Sequence, residues 1–313
     1  MVQKNSIFVL LRASLFVFLL CQTTCTSKKT APAASSVVED AMPVDVIDVH
    51  THPRFTGKPE RTSGIPVTRE QYIKEMKEAG VIAAVALEGS DGVGYDSDLE
   101  SLNVIRCAGV GEKVDVPRIE KGLKSGFYKC LKIYLGYIPQ YAYSASYEPA
   151  YRLAEKYKVP VVFHTGDTYD SDGLLKYSDP LTIDEVAVKH RKITFVIAHC
   201  GNPWIQSAAE VAYKNSNVYL DGSAFMIDDI NNKPKESVEK LVVEPLSWIF
   251  MYVEDPTKLM YGTDWPLVHM KDYLNAFKRA IPKQYWKDVF HDNAIRVFKL
   301  KVPLSKADAP TKS

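Results

Sequence analysis

The chain has 313 residues, 46% of them hydrophobic and 25% charged, with a formal net charge of +1. It is long and apolar enough to bury one large core or two small ones. A balance this near neutrality supplies no basic face for nucleic acid and no reason to expect an anionic surface as partner.

The N-terminal stretch differs in texture from the remainder of the chain. Lys4 precedes an apolar run from Ile7 to Leu20, interrupted by Arg12 and succeeded by CQTTCTSKKTAPAASS. Too short and broken to span a bilayer, the run has the layout of a secretory signal, assigned here to residues 1–25. Cleavage could fall at Ala31-Pro32-Ala33, or Cys21 or Cys25 could carry lipid as in a bacterial lipoprotein. Both alternatives imply export, to the periplasm or beyond, with membrane contact only through the signal or a lipid anchor. Loss of residues 1–25 removes Lys4 and Arg12 and no acid, taking the net charge from +1 to −1. Residues 26–43 read as a flexible linker and 303–313 as a polar tail.

Beyond the leader three cysteines remain, Cys107, Cys130 and Cys200. An odd number without CxxC spacing indicates neither a disulfide framework nor a structural zinc knot. Cys130 and Cys200 lie in apolar runs and read as small buried hydrophobes.

From Val44 short apolar runs alternate with amphipathic segments almost to the end, the pattern of a parallel α/β fold. Strands are predicted over 46–50, 81–87, 130–135, 159–164, 193–199, 218–221 and 258–262, with an eighth at either 104–110 or 113–116. Thr68 and Gln71 frame a capping box for a helix ending at Ala79 before Gly80. Further helices are predicted over 98–107, 116–124, 148–158, 183–191, 203–215, 237–253, 270–280 and 284–299. The strands are near-continuously apolar, as when both faces of a parallel sheet are covered. The 44–302 stretch is close to the size of a single (β/α)8 TIM barrel, about 250 residues.

Four apolar runs end in His or Asp: VIDVHTHP with His50 and His52, VPVVFHTGD with His164, ITFVIAHCG with His199, and KLMYGTDWP with Asp264. Side chains two apart on a strand share a face, so His50 and His52 can close on one ion. In a β/α barrel all strand C-termini open on one mouth, which brings these distant residues together. His50, His52, His164 and Asp264 then form a ligand set for one divalent metal ion, zinc by its N/O donors, with a position left for water. His199 is free to exchange protons. His190, His269 and His291 fall in helical segments and read as ordinary helix residues.

These motifs, together with VIAHCGNPW, NVYLDGSA and the closing HDNAIRVFKL, resemble the amidohydrolase superfamily, specifically its amidohydrolase-2 branch of ACMSD-like metal-dependent hydrolases and decarboxylases. The resemblance runs in order over nearly all of 46–300. It implies a barrel with one divalent metal, usually zinc, on His50, His52, His164 and Asp264, and His199 handling the water or substrate proton. The region from Cys107 to Gly126 fits the branch poorly and looks shortened.

Other residues carry open alternatives. Asp264 can both touch the metal and take the water's proton. Asp48 is either a partner that orients a histidine or one half of an ion pair inside the barrel. Lys132 faces inward; in binuclear members of the superfamily a lysine on this strand is carboxylated and bridges two metals, and otherwise a salt bridge to Glu88 or Asp48 is needed. Tyr137, Tyr141, Tyr143 and Tyr147 either wall an aromatic pocket or pack as a lid. Arg54 either holds a substrate carboxylate or lies on the surface; Asn202 and Trp204 shape the pocket or start a helix. Asp167, Asp170 and Asp172 read as a solvated loop.

The function expected is hydrolysis of a C–N or C–O bond of a small amide or lactone. The alternatives are non-oxidative decarboxylation of an aromatic carboxylate and an idle, tethered binding protein. A homodimer is allowed for.

Overall fold

The structure is a computed structural model that describes residues 44–302 apart from 93, 96 and 97. The expected signal, linker and tail, with Cys21 and Cys25, lie outside the described residues. The described residues fall in one compact unit, and the barrel lies within it.

Eight strands form one parallel sheet in sequential order: β1 Val46–Thr51, β2 Val81–Leu87, β3 Val104–Val110, β4 Tyr128–Tyr134, β5 Val161–His164, β6 Phe195–Ile197, β7 Val218–Asp221 and β8 Leu259–Met260. Between and after them come α1 Arg69–Ala79, α2 Val116–Ser125, α3 Glu148–Tyr157, α4 Thr182–Lys189, α5 Ile205–Lys214 and α6 Lys235–Val238. A π-helical turn, Glu239–Val243, leads into α7 Glu244–Val253; α8 Met270–Ala280 and α9 Asn293–Phe298 complete the set. The first and last strands join through the segment after β8. Val49 N–H donates to Tyr261 O at 3.0 Å, Asp264 N–H to His50 O at 2.8 Å and His52 N–H to Trp265 O at 2.7 Å. The architecture is a TIM barrel, as the alternating pattern implied.

Inside the ring, Ile47, Val49, Val85, Cys130, Val162, Val196 and Met260 pack together, and Val297, Phe298 and Leu300 at the chain's end pack against them. A second, larger cluster lies between sheet and helices. β1 carries an irregularity that matters for the site. Asp48 pairs with Ala84 but Thr51 with Ala86, so β1 holds one residue more than its neighbour over that span. Such a bulge re-aims side chains. Val49 joins the interior cluster, His50 also faces inward, and Thr51 turns outward to Tyr72 at 3.2 Å.

The third β/α unit departs from expectation. The predicted 98–107 helix is one 3-10 turn, Glu100–Leu102, ended by Asn103 in left-handed geometry at φ 57°. The β-branched run after it is β3, and 113–116 is the approach to α2, capped by Asp115. The unit is complete rather than shortened. Register explains a second correction: Cys107 stands opposite Cys130 on β4, and the two form a disulfide. Their separation of 23 residues hid what strand pairing creates. Cys200 is free and buried, as expected.

On the outside, buried Glu75 of α1 ties the first helix to α8. It accepts the Met270 N–H at 2.9 Å and the His269 Nδ1–H at 2.7 Å. Burial alone would raise the Glu75 carboxyl, but the hydrogen bond from His269 and its neighbours outweigh this and hold it low. The same hydrogen bond raises His269. The Glu75 contribution is present above its ordinary pKa of 4.5 and fades as pH falls. That of His269 is full below 6.5 and is lost as pH climbs through its raised value. Glu75→Ala, which strands the Met270 N–H, is expected to cost about 1–3 kcal/mol in urea unfolding. The loss should be largest between pH 4.5 and 6.5.

Candidate metal centre

The strand ends converge. His50, buried inside the ring, points its Nε2 at Asp264 Oδ1 across 3.4 Å, and His52 Nε2 lies 3.1 Å from the same oxygen. Ligand atoms of these three residues all lie within 4.8 Å of one another. Their far nitrogens are held by groups that can only accept: His50 Nδ1 by Asp221 Oδ2 at 2.6 Å, His52 Nδ1 by the Leu87 carbonyl at 2.9 Å. Both Nδ1 atoms are therefore placed to carry a hydrogen, which turns each Nε2 to the shared oxygen as the ligand atom. Asp264 Oδ1 is buried without a hydrogen-bond partner among the described residues. Two imidazole lone pairs and a carboxylate oxygen facing one another are a donor set that fits a divalent cation.

The electrostatics agree. Burial lowers His50, and lowers His164 well below its usual value, so both rings are neutral. Burial together with the neighbouring His50 pushes His199 down to about 3. For Asp264 and Asp221 burial works the other way, yet their interactions with the His50 ring outweigh it and hold both carboxyls low. The backbone is strained here. His199 and Asp264 are left-handed at φ 59° and 69°, a conformation costing about 1–2 kcal/mol for an ordinary residue.

His164 lies beside the cluster, outside the three-residue set. Its Nδ1 is 3.2 Å from His199 Nε2 and its Nε2 2.9 Å from the Asp167 carbonyl. Asp48 does not touch an imidazole. Its carboxylate accepts the His50 and Thr263 N–H groups, each at 3.0 Å, and bonds Thr263 Oγ1 at 2.5 Å, fastening β1 to the residue before Asp264. Desolvation by burial raises it to about 7. The expected Lys132 salt bridge does not form. Glu88 is taken by Arg118 at 3.4 Å and Asp48 by Thr263. Lys132 Nζ is fully buried over the Tyr134 ring, at 5.2 Å, with no hydrogen-bond partner among the described residues. Burial drops it to about 8.

Of the four loop tyrosines only Tyr137 reaches the site, edge-on to the His164 ring at 4.7 Å. Tyr141 stacks with Tyr143 and against Tyr177, and Tyr147 belongs to the outer core. Arg54 is exposed and 3.5 Å from Asp91. Asn202 braces the neighbouring loop through its carbonyl, which accepts from Asp167 N–H at 2.8 Å, and Trp204 precedes α5. Asp170 and Asp172 lie on an exposed turn.

Four contributors escaped the sequence reading: Asp221, Ser223, Tyr95 and Tyr134. Tyr134 stacks beside His164 at 6.5 Å, and Tyr95 hydrogen-bonds the Leu87 carbonyl next to His52. Asp221 carried the same signal as Asp264, an acid closing an apolar strand, and could have been found.

The sequence profile of the amidohydrolase-2 family, described as amidohydrolase, matches residues 47–300. The chain belongs to this family. No curated protein matches it. Solved structures share the fold at low identity. A TIM-barrel protein from Bordetella bronchiseptica superposes with a TM-score of 0.61 at 19% identity, over 82% of this chain and 98% of that one. A probable 2-pyrone-4,6-dicarboxylic acid hydrolase from Acinetobacter baumannii gives 0.61 at 16%, over 82% and 99%. The manganese-bound 5-carboxyvanillate decarboxylase of Novosphingobium aromaticivorans gives 0.53 at 16%, over 74% and 80%.

Because Asp221 sets the His50 tautomer, Asp221→Asn is expected to weaken metal binding ~10–100-fold. Titration of metal-free protein with zinc, read by calorimetry, checks this.

Proposed function

We propose that this amidohydrolase-2 enzyme is a mononuclear, zinc-dependent hydrolase that cleaves a C–N or C–O bond of a small amide or lactone. The observation that carries the reading is the orphaned Asp264 Oδ1 facing two imidazole lone pairs. His50, His52 and Asp264 are the ligands we assign, with His164 Nδ1 as the fourth; nitrogen with carboxylate oxygen suits zinc. When bound, the ion supplies Lewis acidity, which acidifies water and polarises a carbonyl. Asp264, held ionised, is placed to accept the proton that the attacking water gives up. His199, its ring 4.7 Å from that of His50 and 4.9 Å from that of His164, is the imidazole we assign to the reacting group. Tyr137 and Tyr134, with Tyr95 beside His52, line the aromatic side of the site, and Arg54 at its edge is the cation available to an acidic substrate. Lys132 stays an ammonium in this proposal and bridges no second metal.

Decarboxylation of an aromatic carboxylate is the second reading, favoured by the tyrosines around His164 and by the reaction of the Novosphingobium neighbour. For location we propose export through residues 1–25, a reading the Cys107–Cys130 disulfide supports, since such bonds persist in oxidising compartments.

The purified, zinc-loaded enzyme is expected to hold about one metal per chain and to hydrolyse members of a lactone and amide panel without releasing carbon dioxide from aromatic acids. His50→Ala and Asp264→Asn should lose metal by elemental analysis. His199→Ala should keep it while turnover falls ~10²–10³-fold, the loss of one hydrogen-bond donor to the reacting oxygen. Carbon dioxide release with no hydrolysis would install the decarboxylase reading, and a chain inert and metal-free after reconstitution would leave a binding protein.

A further inference from the structure

We propose that Ser223 is a positioning residue that fixes the tautomer of His199. This imidazole then meets the substrate as a hydrogen-bond donor through Nε2, and the water's proton is left to Asp264. The consequence for catalysis rests on the hydrolase reading; the tautomer does not.

Ser223 is fully buried two residues beyond the end of β7, and its own N–H donates to Asp221 Oδ1 at 2.9 Å. Its hydroxyl sits midway between two rings, 3.0 Å from His50 Nδ1 and 3.0 Å from His199 Nδ1. One hydroxyl has one proton to give. His50 Nδ1 cannot take it, because that nitrogen already donates to the Asp221 carboxylate at 2.6 Å, a short charge-assisted bond. The Ser223 proton therefore goes to His199 Nδ1, which must offer a lone pair, and the single ring hydrogen of neutral His199 lies on Nε2.

The other end of the chain of bonds reaches the same answer independently. His164 Nε2 faces the Asp167 carbonyl at 2.9 Å and has to donate, so His164 Nδ1 is a lone pair. That lone pair meets His199 Nε2 at 3.2 Å. A hydrogen on Nε2 makes this a hydrogen bond; a lone pair there would set two acceptors against each other. With His164 Nδ1 taken as a metal ligand that second support is lost, and the hydroxyl alone opposes the Ser223 carbonyl, which lies 3.3 Å from His199 Nδ1 and would draw the hydrogen to that side.

The chemistry depends on where the hydrogen sits. An imidazole with Nε2 protonated has no lone pair with which to deprotonate water. It can hold a hydrogen bond to a carbonyl oxygen, as neutral imidazoles do when they serve as electrophiles. Taking His164 Nδ1 as a metal ligand releases that Nε2–H for the substrate. No proton leaves His199 in this role, so the ring stays neutral throughout, and Asp264 remains as base.

The test is side-chain ¹⁵N spectroscopy of the metal-free full-length chain labelled at histidine. His199 is expected to show a protonated Nε2 and a lone-pair Nδ1; in the zinc-loaded chain, where His164 Nδ1 is taken, the wild type is expected to keep that pattern and Ser223→Ala to exchange the two. A protonated Nδ1 in either wild-type spectrum, or an unchanged tautomer in the zinc-loaded variant, overturns the proposal. If Ser223→Ala does not fold, the zinc-loaded wild-type spectrum decides. As a second readout, the zinc-loaded variant should keep its metal and its KM while kcat falls ~10–100-fold; loss of metal instead would make Ser223 a support for His50 and overturn the role. Since the tautomer is read without substrate or turnover, it stands or falls separately from the hydrolase reading.

Discussion

One buried carboxylate oxygen, Asp264 Oδ1, faces two imidazole nitrogens across 3.1 and 3.4 Å, and the rest of the site is arranged around that contact. It exists because the barrel closes. Asp264 N–H bonds the His50 carbonyl and His52 N–H the Trp265 carbonyl, so the backbone bonds that join the last strand end to the first also set the distance between the ligands. Asp48 reinforces the seam from below, holding the His50 and Thr263 amides on one carboxylate. A cation bound there would draw the seam together, so metal binding and barrel closure share one free energy.

Burial does the electrostatic work. It strips the charged form from His50, His164 and His199, leaving lone pairs rather than protons in the mouth. Asp221 and Asp264 stay ionised in the same dry volume, and the ammonium of Lys132, with no direct partner among the described residues, offsets them at a distance. Each charge alone would be expensive in such a medium. Their mutual attraction, together with the hydrogen bonds to Asp221, makes the set tolerable.

The fold was largely legible. Strand-end histidines, near-continuous apolar strands and a Thr68 cap at the first helix each come from local rules, and all reappear. What stayed hidden depends on contacts between strands. Cys107 and Cys130 are 23 residues apart and meet only because β3 and β4 pair in that register. The β1 bulge, which lets Val49 and His50 both face inward, leaves no mark in the alternation of VIDVHT. Lys132 was expected to find Glu88 or Asp48, but Arg118 holds Glu88 and Thr263 holds Asp48. Asp221 was missed for a different reason: it was read as the end of a strand and not as an acid at the mouth, although position and chemistry were both visible.

The most direct measurement is anomalous diffraction from a crystal of the wild-type chain soaked with zinc. The account predicts one strong peak per chain, about 2.0–2.2 Å from His50 Nε2, His52 Nε2 and an Asp264 carboxylate oxygen. A fully soaked crystal with no peak there, or with its peak bound elsewhere on the barrel, would contradict it.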